Sequence, residues 1–134
     1  MSPLDPFDKF RLMLDEYSAQ ILSLTAPKPM NALELSDALG IPIAACYRRI
    51  RVLKEAGILR EDGKVESMGG KMVSIYRSSV DKAEVVLQDG RLRVFMDVAG
   101  EKASDEVMLS DEPTMLAWPA VETTVRKRLE QNGQ

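Results

Sequence analysis

ELSDALGIPIAACYRRIRVLKEAGIL, residues 34–59, holds two segments of helical periodicity, the first closed by Gly40 and the second by Gly57. Glycine just past an apolar-periodic run marks a helix end, because it adopts the left-handed backbone that other residues resist. Pro42 suits the first position of a new helix, where its missing N–H would have had no partner. Over residues 42–56 Cys46, Ile50 and Leu53 recur at four and three positions and should face inward. Ala44, Tyr47, Arg48 and Arg51 then share the opposite face, and Arg49 lies at its border.

Upstream, Asn31-Ala32-Leu33-Glu34 reads as a capping box opening the first of the two helices, with Leu33, Leu35 and Leu39 as its expected buried positions. Two helices joined by so tight a turn form a helix-turn-helix. Further upstream, Asp5-Pro6 is a helix start, and Phe7, Phe10, Leu14, Tyr17, Ile21 and Leu24 trace one stripe along what reads as a single helix with room for a kink. Pro27 and Pro29 stop it.

Downstream of Gly57 the period falls to two. The pattern predicts a strand to Glu66 bent near Asp62-Gly63, a turn at Met68-Gly69-Gly70 and a returning strand over residues 71–77. Residues 84–88 and 91–98 then flank Asp89-Gly90, a strong hairpin signal. The polar stretch over residues 101–105 reads as a connection to a short strand, and residues 119–131 as a last helix with Val121, Val125 and Leu129 on one stripe. The expected architecture is α+β: a winged helix-turn-helix over residues 1–80, then an accessory C-terminal β-hairpin and terminal helix over residues 81–134.

The chain of 134 residues is long enough for one cored domain, or one small domain with an appendage. Its net charge is −3, yet residues 41–77 carry eight basic and four acidic side chains. The positive field is therefore local. A single cysteine excludes a disulfide framework, and the absence of histidine removes the commonest metal ligand and general base. No nucleophile–base pair or glycine-rich phosphate loop is visible, so no enzyme, cofactor or metal is expected. Apolar stretches are short and the N-terminus MSPLDPFDKF lacks the pattern of a leader, which reads as cytoplasmic with no membrane partner.

The run from Glu34 to Ile41, followed by Tyr47-Arg48-Arg49-Ile50, Leu53-Lys54-Glu55-Ala56-Gly57 and Ile58-Leu59, resembles the winged helix-turn-helix core of prokaryotic ArsR-like transcription regulators, in a style closest to archaeal members. The resemblance covers roughly residues 15–77. It implies that the helix beginning near Pro42 is a recognition helix for double-stranded DNA and that the following hairpin is a wing. Relatives of this kind usually begin that helix with small polar residues, where this chain has Pro42, Ile43, Ala44 and Ala45. Metal-sensing members use cysteine and histidine clusters, which are absent here, so that activity does not carry over.

On this reading Ile43, Ala44, Ala45, Tyr47, Arg48, Arg49 and Arg51 meet DNA from the helix, the alanines giving room for close approach and Arg49, at the border of the face, making a phosphate or an intramolecular contact. Lys64 and Lys71 flank the tip of the hairpin, with Met68 at its turn. Plainer readings stand beside these: a solvated basic helix face, and a hairpin whose lysines discourage edge pairing. Cys46 reads as a small core residue, Asn31 as a cap, and Asp8, Asp15 and Glu16 as surface charge. The stripe from Val121, with Leu116 and Trp118 before it, packs on its own domain or pairs with a second copy. A homodimer is favoured because one recognition helix spans little DNA. The alternative is a winged-helix protein–protein interaction module in a larger assembly. No sequence feature identifies a small-molecule effector.

Overall fold

The computed structural model describes residues 4–108, so the terminal helix expected over residues 119–131 lies outside the described residues. The fold is α+β, a helix-turn-helix joined to a β-hairpin and then to a second antiparallel sheet. Among the described residues no helix is long and apolar enough to cross a membrane.

The N-terminal stripe forms two helices rather than one, α1 (Pro6–Met13) and α2 (Glu16–Thr25). Asp5 caps α1 by accepting from the Asp8 N–H at 2.8 Å, with Pro6 in its first turn. The break falls at Asp15, whose backbone is extended and whose Oδ1 accepts from the N–H groups of Tyr17 and Ser18 at 2.9 and 3.1 Å. Capping the orphan N–H groups of a new helix here outweighs continuing the old one. Asp15 is thus a structural residue and not merely surface charge.

After the prolines, β1 (Met30–Asn31) leads directly into α3 (Ala32–Leu39). The capping box is complete: Glu34 N–H donates to Asn31 Oδ1 at 2.8 Å, and Asn31 N–H donates to Glu34 Oε1 at 2.9 Å. Leu35 is fully buried and Leu39 half-buried, whereas Leu33 is 63% exposed, correcting its expected place in the core. Gly40 ends the helix in the left-handed region at φ 67°, and the Ser36 hydroxyl donates across the turn to Ile41 O at 2.6 Å.

Helix α4 (Ile43–Glu55) follows, with Pro42 as its N-cap and Ala56 as its C-cap, one residue inside each expected end. Cys46, Ile50 and Leu53 are buried as the spacing predicts, joining Ile21, Leu35 and Ile58 in the core. Each isoleucine and leucine among them contributes about 1.5–3 kcal/mol of burial. The Cys46 Sγ–H lies 3.5 Å from Ala32 O, which sets α3 against the second turn of α4.

Strands β2 (Leu59–Glu66) and β3 (Met72–Ser78) make the expected hairpin, with a register shift between Glu61 and Lys64 where Asp62-Gly63 was read as a bend. Strand β1 adds to it through Met30 opposite Tyr76 and gives the sheet order β1-β3-β2. Ser79 alone then separates β3 from β4 (Val80–Gln88). It is buried, its N–H donates to Ile58 O, and its carbonyl accepts from Ala99 N–H at 2.8 Å, tying the two sheets together.

The accessory element is larger than a hairpin. Strands β4, β5 (Arg91–Val98) and β6 (Glu101–Met108) form a three-stranded meander. The stretch read as a polar connection is itself a strand, paired along its whole length with β5 from Val98 opposite Glu101 to Arg91 opposite Met108. Phe7 of α1 shares the buried core with Leu92, Val94 and Met96 of β5, so the first helix packs on the last sheet.

Candidate nucleic-acid interface

Two ridges of α4 face outward. Ile43, Tyr47 and Arg51 lie at four-residue spacing along one, with Ala44 and Arg48 beside them on the next. All five are exposed, Ile43 at 40% and Tyr47 at 49%. Ala45 is half-buried beneath them.

An open cleft runs along each side of this helix. Toward β3 a space of about 340 Å³ is lined by Tyr47, Ile50, Arg51, Lys54, Glu55 and Tyr76. Its floor is Tyr76, a buried residue whose ring carries Lys54 Nζ 5.7 Å from its centroid. Burial pushes the Tyr76 phenol above its ordinary value, so it stays an uncharged hydroxyl beside these cations. Toward α2 a space of about 370 Å³ is lined by Tyr17, Ile41, Ala45, Arg48, Arg49 and Val52. The first cleft therefore offers Arg51, Lys54 and two tyrosines beside Glu55, and the second offers Arg48, Arg49 and one tyrosine, at the flanks of one protruding helix.

Arg49 differs from its neighbours. Its Nη1 pairs with Asp15 Oδ2, the carboxylate whose other oxygen caps α2. Arg49 is thus held by the fold, whereas Arg48 and Arg51 stand on the open face. The pair bridges α4 to the α1–α2 junction.

Lys64 and Lys71 are exposed on the hairpin, Lys64 opposite Ser74 and Lys71 just before β3, but neither lines a cleft beside α4. Met68 at the turn is fully exposed. Sequence reasoning overlooked Lys54, although its place three residues after Arg51 puts it next to that arginine on the helix surface. Tyr17 and Tyr76 had no local signal, since tertiary packing alone brings them beside α4.

Cys46 is a free, fully buried thiol whose pKa is raised by burial, as befits a core residue. The carboxylates Asp5 and Asp8 crowd the start of α1, where burial and the neighbouring charge raise the Asp8 pKa.

Residues 13–62 match the model of a helix-turn-helix domain family, a span that runs from the end of α1 through α4 into β2. No curated protein matches the chain.

Proposed function

We propose that the chain is a DNA-binding transcription regulator of the prokaryotic ArsR-like kind, with α4 as the element that enters the major groove. The observation that carries this reading is the pair of clefts flanking α4. A helix lying in a groove about 12 Å wide needs clearance on both sides for the two phosphate backbones, and donors along those flanks. Arg51 and Lys54 serve one flank and Arg48 the other, with Arg49 steadying the helix through Asp15. The helix-turn-helix match over residues 13–62 supports the same assignment.

In this reading Ile43, Ala44 and Tyr47 approach the base edges, Ala45 supports them, and Lys64 and Lys71 on the β2–β3 wing touch the backbone beyond the reach of α4. Residues 1–80 form the DNA-binding unit. Residues 81–134 serve assembly as a homodimer or sensing, and α1 connects them to the rest.

The test is fluorescence anisotropy of a labelled duplex of random sequence titrated with the protein over a range of salt. The expected result is binding whose log K falls linearly with log salt, at a slope of about −0.9 per phosphate neutralised. A duplex left unbound at low salt turns the reading toward a protein-interaction module with the same fold.

A further inference from the structure

The first turn of α4 is unusual for a reader of polar base edges. Pro42, Ile43 and Ala44 are exposed and Ala45 half-buried, and none of their side chains donates or accepts a hydrogen bond. Pro42 also makes no side-chain cap. Against every base this turn leaves the edge donors and acceptors unmatched, thymine O4 included. Thymine alone presents a methyl group in the major groove, and apolar contact is the one interaction these side chains offer.

We propose that Ile43 reads thymine through its C5 methyl group, making A·T pairs the preferred bases opposite the first turn of α4. The proposal rests on the DNA-binding reading above and adds the class of base recognised. Ile43 begins the ridge that continues through Tyr47 to Arg51, so the Arg51 guanidinium farther along can grip the backbone while the aliphatic side chain of Ile43 meets the base edge. Ala44 beside it is small enough to admit that approach. An isolated exposed isoleucine needs no explanation, but here an exposed tyrosine follows it on the ridge, with Arg48 and Arg51 beside that tyrosine.

Duplexes enriched from a random pool by the wild-type protein are resynthesised with deoxyuridine in place of thymine, a change that deletes only methyl groups. The expected result is a loss of affinity of about three- to tenfold per half-site with an unchanged salt slope, the scale of one buried methyl contact. In Ile43→Ala the thymine-to-uracil ratio should fall below about twofold, and Ile43→Val should keep part of it. Equal affinity for the two duplexes overturns the proposal and leaves DNA binding standing. A full ratio retained by Ile43→Ala moves the methyl contact to another residue and also overturns it. Absence of salt-sensitive binding to either duplex removes the DNA-binding reading and this inference with it.

Discussion

At the scale of single residues, Leu33 and Leu35 show what a spacing argument must respect. Two positions apart on a helix means about 200° of rotation, so both cannot face one core. The buried ridge of α3 is Ala32, Leu35 and Ser36, continued by half-buried Leu39, and it leaves Leu33 outside. Leu35→Ala should cost about 2–5 kcal/mol in urea unfolding, while Leu33→Ala should stay within about 0.5 kcal/mol. Arg51→Ala should leave stability unchanged and reduce the salt slope of duplex binding by about one, as expected when one phosphate contact is lost. The inward face of α4 was legible because Cys46, Ile50 and Leu53 keep strict helical spacing. Arg49 was already set apart from Arg48 and Arg51 by its place at the border of that face, but its partner was not legible, since Asp15 is distant in sequence.

At the scale of elements, the chain departs from its pattern in two places. The apolar stripe runs unbroken across Leu14 and Asp15, yet the Asp15 side chain starts a second helix there. Periodicity reports which face is buried, and a cap decides where a helix begins. Asp15→Ala should lower stability by about 1 kcal/mol through the lost cap, and Asp15→Asn, which still accepts from the Tyr17 N–H, should restore most of it. Chemical denaturation of both variants checks this. The second departure is β6, whose polar residues hid a strand. Its turn, Ala99-Gly100, takes positive φ at both positions (52° and 83°), as Asp89-Gly90 does (54° and 75°). Alanine gives no sequence signal for that conformation, so the first hairpin was legible and the second was not.

At the scale of the whole molecule, charge is segregated: a protein of net charge −3 presents a cationic helix between two open clefts. With no histidine, stability and duplex affinity should be flat between about pH 6 and 8. Burial raises the Cys46 and Tyr76 pKa values above their ordinary 9.0 and 10.0. The unfolded chain thus releases these protons at lower pH than the folded one. Their contribution is complete below the ordinary values and is lost as pH climbs through the raised ones. Melting temperature should therefore fall above about pH 9, and less steeply in Tyr76→Phe. The most direct test places one charge change at two sites. Arg48→Glu with Arg51→Glu and, as control, Lys28→Glu with Lys102→Glu alter net charge equally at exposed positions. Duplex titration at low salt should show binding abolished in the α4 variant and largely kept in the control. Equal loss in both, or retained affinity in the α4 variant, would contradict α4 as the DNA-binding surface.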